Sequence, residues 1–256
     1  MMDFAGIKKY WEDRAAEDSS AQSTTQDFYL REIELNVLSE RIRKYLPTRV
    51  ADVGCGDGRT TTRLAGTFSN SFFCGFDYSS SMVENARRVL LACHTSNVEF
   101  AELDICQGLN GSFDLIYSTR CLINLPSWEL QQVAINNIHT ALRSGGAYLM
   151  VENFIEGQEN FNQIRRNFGL PEIPVREHNL FFERARLLNF ISGRFEVEED
   201  INISSTYYLV SRVIYSKICS EAGKKPDYFD DHHRFAANLP FSGEFGPVRL
   251  LCLKKR

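Results

Sequence analysis

The residues with the clearest chemical potential begin in the run Val50-Ala51-Asp52-Val53-Gly54-Cys55-Gly56-Asp57-Gly58, where an apolar strand meets three glycines at alternate positions. Glycine lets main chain approach a ligand closely and accepts φ values that other residues resist. The segment 59–68 behind the turn reads as a helix, whose free N–H groups would point at whatever lies over it. Such a turn after a first parallel strand is where doubly wound α/β folds take nucleotide-like cofactors. Asp77 closes the next candidate strand. It is placed to accept both ribose hydroxyl hydrogens of a nucleoside-type cofactor, or else to start the surface turn Ser79-Ser80-Ser81. Tyr78 and Met82 would flank the base or belong to the core.

The glycine pattern is GxGxG and not the dinucleotide fingerprint GxGxxG, because Arg59 stands where the last glycine should be. With the acidic Asp52 ahead of it, the run resembles motif I of class I S-adenosylmethionine-dependent methyltransferases. The resemblance continues through Glu102-Leu103-Asp104-Ile105, Phe113-Asp114-Leu115-Ile116-Tyr117-Ser118 and Leu142-Arg143-Ser144-Gly145-Gly146-Ala147-Tyr148-Leu149-Met150, with Ser144 where a proline is common. It spans about 49–153. It implies S-adenosyl-L-methionine as cofactor, approached by Gly54, Cys55 and Gly56. Asp77 would hold the ribose, Asp104 would accept the adenine amino hydrogen, and the main chain of Ile105 would touch the ring. Ser118 would stand where cofactor and substrate pockets meet. Tyr10-Trp11-Glu12-Asp13-Arg14 is similar to the cap that many relatives fold over the cofactor. There Arg14 would pair with the methionine carboxylate beside Trp11, or simply occupy a solvated helix face.

The fourth strand is followed by Ser118-Thr119-Arg120-Cys121, not by the D/N/S-P-P-Y/F/W run of enzymes that methylate base amino groups. Transfer to oxygen requires alignment behind the methyl group and, for a hydroxyl, removal of a proton. Candidate bases are His178, which could equally be a structural or capping histidine, and Glu152. Asn153 beside Glu152 sits at the carboxyl edge of the sheet, where ligands bind. Phe182 would wall an apolar pocket, and Arg120 and Asn124 would face the acceptor. In the helix expected over 206–220, Leu209, Val210, Val213, Ile214 and Ile218 form one stripe, with Tyr208, Arg212 and Tyr215 opposite. That polar face would line the acceptor pocket, with Arg212 binding a carboxylate, phosphate or sugar hydroxyls. The alternative is packing against 227–239 or a second copy of the chain. His139 falls inside a helix and reads as structural, and His94 ends another helix. Asp230-Asp231-His232-His233 has metal-capable residue types but reads as a solvated turn, so no metal is expected.

The elements that would position these groups alternate regularly. Strands are expected over 72–77, 98–103, 113–118 and 147–151, separated by helices, one of them capped by Ser81 and Glu84. An amphipathic helix over 31–46 stops at Pro47, after a polar loop or lid hinge over 18–25. Two further strands, 195–204 and 248–254, lie much farther apart than a hairpin of about two to five residues allows. The expected fold class is therefore α/β: a single Rossmann-like methyltransferase domain with a mostly parallel seven-stranded sheet, the final strand reversed. Cap helices over 1–46 would precede a cofactor-binding core over 47–153. Helical acceptor-side insertions over 157–193 and 205–246 would lie before and after strand 6.

Composition narrows the partners. The chain has 256 residues, 43% hydrophobic and 24% charged, with a net charge of −4, which argues against nucleic acid. Lys254-Lys255-Arg256 reads as a solvated end. Seven cysteines, an odd count without a CxxC pair, suggest buried free thiols in a reducing cytoplasm. No signal-peptide core or membrane-length apolar run is present. The whole-chain pattern is similar to bacterial small-molecule and carbohydrate-pathway methyltransferases, which implies a small polar acceptor, first a sugar hydroxyl. Open alternatives are N-methylation or carboxyl methylation of a small metabolite and a non-catalytic cofactor-binding protein. A nicotinamide-dependent oxidoreductase also stays open, although Arg59 and Asp104 speak against it. An oligomer would form through 205–246.

Overall fold

Seven strands form one sheet in the order β3-β2-β1-β4-β5-β7-β6. They are β1 (Arg49–Val53), β2 (Phe72–Asp77), β3 (Val98–Glu102), β4 (Phe113–Thr119), β5 (Leu142–Asn153), β6 (Phe195–Asn202) and β7 (Val248–Lys255) in a computed structural model that describes residues 2–17 and 25–256. The first five run parallel, and β7 is antiparallel to both neighbours. Chain order reverses between β1 and β4, creating the crevice where open α/β sheets bind ligands.

Strand alternation divides the core into two faces. Val50, Tyr117, Leu149 and Val151 pack with α2 (Phe28–Tyr45), α3 (Arg59–Thr67) and α4 (Ser80–Cys93). Ala51, Val53, Ile116 and Met150 pack on the other side with α5 (Trp128–Ala141) and α7 (Arg184–Ile191). α1 (Phe4–Glu17) lies against α4 and is anchored there by Glu12, whose carboxylate accepts the N–H groups of Ser80 and Ser81.

Several local expectations change. α4 is capped by Ser79, whose Oγ accepts from Met82 N at 3.1 Å, and not by Ser81. The cause is Asp77, which takes Ser79 N at 3.0 Å and sets the turn two residues earlier. α2 begins before Arg31, because Asp27 caps it by accepting from Leu30 N. β5 starts at Leu142, so the Gly145-Gly146 pair lies within the strand. Of the expected loop over 18–25, only Thr25 lies among the described residues.

The first insertion carries α6 (Ile155–Asn167), an irregular stretch and α7. The second carries α8 (Ser205–Tyr208), a π-helical turn (Leu209–Ile214), α9 (Tyr215–Glu221) and α10 (Asp231–Ala237). The π turn overrides the α-helical spacing assumed from sequence, because its wider loop rotates every later side chain. Of the expected apolar stripe, Val213 is fully buried while Ile214 and Ile218 are exposed. Tyr215 is carried round to stack on His232 of α10, with ring centroids 4.6 Å apart.

Among the described residues, no helix is long and apolar enough to cross a membrane. All seven cysteines are free, four of them buried; Cys93 is exposed, and Cys106 and Cys121 are partly covered.

Candidate active site

The turn after β1 places Gly54 at φ +77°, where an added Cβ would stand 2.3 Å from Cys121 Sγ. A side chain there would collide with Cys121, so the Gly54 main chain packs directly on the Cys121 side chain after β4. Asp52 lies beneath, accepting hydrogen bonds from Thr61 Oγ1 at 2.5 Å and Tyr117 OH at 2.9 Å. It ties β1 to α3 and β4, and burial pushes its carboxyl up to about 7. Asp77 accepts Gly56 N at 2.9 Å as well as Ser79 N, and burial raises it to about 6.

A cavity of about 990 Å³ opens over these groups. Its donor side is walled by Gly54, Cys55, Gly56, Asp77, Tyr78 and Met82, and roofed by Trp11 and Arg14 of α1. A small apolar slot shares Gly54, Asp77 and Tyr78 and adds Leu103, Asp104, Ile105 and Leu125. Asp104 uses one oxygen to accept Cys106 N at 2.9 Å.

Beyond β1 the cavity continues over β4 and β5. Arg120, held at φ +50°, lies against the Glu34 carboxylate, with Nε 2.8 Å from Oε1 and a second nitrogen 3.1 Å from Oε2. Arg212 in the π turn pairs with Asp27 at 2.5 Å. Its guanidinium sits 4.6 Å from the Tyr208 ring centroid and 5.0 Å from that of Tyr228, and donates to Tyr228 OH at 3.1 Å. Burial opposes ionisation of Asp27, but the Arg212 guanidinium and the Tyr207 hydroxyl outweigh it and hold the carboxyl below its ordinary range. His178 closes the cavity from the first insertion. It stacks on Tyr10 with ring centroids 4.4 Å apart and meets Trp11 edge-on at 5.8 Å. Burial, then the neighbouring Arg176, lowers its pKa and keeps the ring neutral near pH 7.

Residues 50–146 match the methyltransferase domain family. That segment is a methyltransferase domain. The chain is 41% identical over 78 residues to a trans-aconitate 2-methyltransferase of Deinococcus radiodurans, covering 30% of this chain and 28% of that protein. It is 25% identical over 192 residues to a malonyl-[acyl-carrier protein] O-methyltransferase of Bacillus cereus, covering 69% and 64%. The chain thus spans less than two thirds of the length of either relative. In fold it resembles the magnesium protoporphyrin IX methyltransferase of Synechocystis crystallised with S-adenosylhomocysteine, at a TM-score of 0.65, 15% identity and coverage of 99% and 100%.

The donor side of the methyltransferase domain fits its cofactor on its own geometry. Gly54, Cys55 and Gly56 present the glycine turn to the cavity, and Tyr78 OH is buried with no hydrogen-bond partner among the described residues. An apolar slot edged by Asp104 adjoins a buried carboxylate, Asp77.

Four sequence-derived candidates lie off the cavity wall of the methyltransferase domain. Ser118 and Glu152 point to the opposite sheet face, fully buried. Glu152 accepts Ser118 Oγ at 2.7 Å and the main-chain N–H groups of Cys121, Leu122 and Ile123 at 3.2, 3.0 and 3.4 Å. It shapes the loop after β4 rather than meeting the acceptor, and burial pushes it up to about 7. Phe182 is buried in the core while its neighbour Phe181 lines the cavity, and Tyr215 packs on α10. Asn124 lies on the wall, accepting Trp11 Nε1–H at 3.2 Å. Asp230 caps α10 by accepting from His232 N, and no cluster able to hold a metal ion occurs among the described residues.

Sequence reasoning missed Thr119, Asp27, Glu34 and Tyr228, all on the wall. Alternation could have found Thr119, because it follows Ser118 on the other face. The ion-pair partners carried no local signal.

Proposed function

We propose that the chain transfers the methyl group of S-adenosylmethionine to an oxygen of a small polar metabolite, first a hydroxyl of a sugar or related molecule. The observation that carries this reading is the single cavity joining the glycine turn to a polar chamber over β4 and β5, large enough for cofactor and acceptor together. When bound, the cofactor supplies a methyl group on a sulfonium, an electrophile that leaves as a neutral thioether. Asp77 and Asp104 would hold the nucleoside end, and Arg14 the methionine carboxylate. Tyr10, Trp11 and His178 close the site against water. His178, neutral and on the wall, is positioned to hold the proton released by a hydroxyl.

A second reading is a carboxylate acceptor. The names of the two relatives favour it, and an acid already ionised at pH 7 needs no base. Calorimetry with S-adenosylhomocysteine and with NADH, followed by label transfer from methyl-labelled S-adenosylmethionine, tests the proposal. Micromolar binding of S-adenosylhomocysteine alone, with label entering a small molecule, supports it. Preference for NADH would return the oxidoreductase reading, and binding without transfer the non-catalytic one.

A further inference from the structure

Protein interiors rarely leave buried polar atoms without partners, and each such atom asks for an explanation. Three belong to residues that line the cavity beyond the glycine turn: Thr119 Oγ1, Asn153 Oδ1 and Arg212 Nε have no hydrogen-bond partner among the described residues. Thr119 and Asn153 are placed by the strands. Thr119 pairs in register with Val151, and Asn153 is two residues farther along β5, so the Thr119 and Asn153 side chains leave the same face of the sheet. That face packs against Tyr207 and Tyr208, on the helix that carries Arg212 into the π turn. Asn153 is only 8% exposed, so its amide has little access to bulk water.

The one cation among the three side chains is already paired, as are two further arginines of the wall. Arg212 is paired with Asp27, Arg120 with Glu34 and Arg31 with Asp57. An anion held by these three side chains would find the Arg212 charge already compensated by Asp27. What the wall lacks is hydrogen bonds. Arg212 Nε can only donate, whereas the Asn153 amide and the Thr119 hydroxyl can each donate and accept. Hydroxyl groups, which also do both, satisfy all three.

Resting on the hydroxyl reading above, we propose that Thr119, Asn153 and Arg212 form a specificity subsite for a neutral, multiply hydroxylated acceptor, a carbohydrate or polyol. One hydroxyl takes the methyl group while its neighbours are held by these three side chains. The subsite selects against acidic relatives of the same molecules.

The test measures label transfer from methyl-labelled S-adenosylmethionine into glucose, mannose, sucrose and myo-inositol, beside gluconate and glucuronate. The wild type is expected to favour neutral members by at least about tenfold in kcat/KM, the scale of one unsatisfied buried group. Thr119→Val, which keeps shape, and Asn153→Leu should each lower that kcat/KM about tenfold to a hundredfold. Affinity for S-adenosylhomocysteine, which also reports folding, should stay unchanged. Transfer confined to the acids, or variants that transfer to neutral acceptors as well as wild type, overturns the subsite and leaves the methyltransferase reading standing. No transfer to any member, with S-adenosylhomocysteine still bound, instead removes the sugar-hydroxyl reading on which the subsite depends.

Discussion

Asn124 Oδ1 accepts the indole N–H of Trp11 at 3.2 Å, across 113 positions of sequence. The same amide donates to Arg120 O at 2.9 Å and Cys121 O at 3.2 Å. The cap helix is thereby latched to the loop that follows β4, over the donor side of the cavity. Trp11→Phe removes the donor but keeps an aromatic roof. Affinity for S-adenosylhomocysteine should fall about fivefold, the worth of one hydrogen bond near 1 kcal/mol, measured by calorimetry. An unchanged Kd would show that the latch does not hold the donor site.

Asp77, raised to about 6 by burial, gives stability and binding opposite dependences on pH. Its folded pKa lies above the unfolded value. The stability tied to its protonated form is complete below about pH 4 and is lost as pH rises through 6. Asp52 and Glu152, raised to about 7, act in the same direction. The ligand-free protein should therefore melt at lower temperature at pH 8 than at pH 5.5. In the proposed ribose role Asp77 acts as the ionised carboxylate, so S-adenosylhomocysteine affinity should rise over that interval. Asp77→Asn should weaken binding by at least about tenfold while raising ligand-free stability at pH 8.

Asp27 behaves the other way. Its folded pKa is depressed, so its stabilisation is present above the unfolded value near pH 4 and is lost as pH falls through the folded pKa. Asp27→Asn would leave the Arg212 guanidinium buried without its counter-charge. A loss of about 3–5 kcal/mol in urea unfolding is expected at pH 7. Asp27→Asn with Arg212→Gln should recover part of it, and a full additive loss would refute the coupling.

Glu152→Gln would turn an amide N–H toward main-chain donors that now share one carboxylate. Stability should drop by about 1–3 kcal/mol, with the loop after β4 loosened. A fall in kcat without loss of stability would instead make Glu152 a base.

His178→Gln should lower kcat by about 10²–10⁴-fold for a hydroxyl acceptor and spare S-adenosylhomocysteine binding. The wild-type rate should rise with pH through a value below 6.5, because burial depresses the imidazolium. A carboxylate acceptor would leave the rate flat and the variant nearly as fast.

Much of the donor half was legible because its signals are local. Glycines at a strand end, acids at the next strand ends and alternating hydrophobic runs each act within a few residues. They report backbone conformation that the chain cannot avoid. The same alternation, applied one residue further, would have separated Glu152 from Asn153 and Ser118 from Thr119. Adjacent residues on a strand cannot face the same cavity.

Residue types and spacing alone determined the α/β class, the strand–glycine turn–helix at its centre and the place of Asp77 and Asp104 at strand ends. Only tertiary structure decided that Asp27 meets Arg212, that Glu34 meets Arg120, and that a π turn sends Tyr215 to α10 while leaving Tyr208 and Arg212 on the wall. Those pairings join segments far apart in the chain. They are selected by burial, where a charge must find its partner or not be there at all.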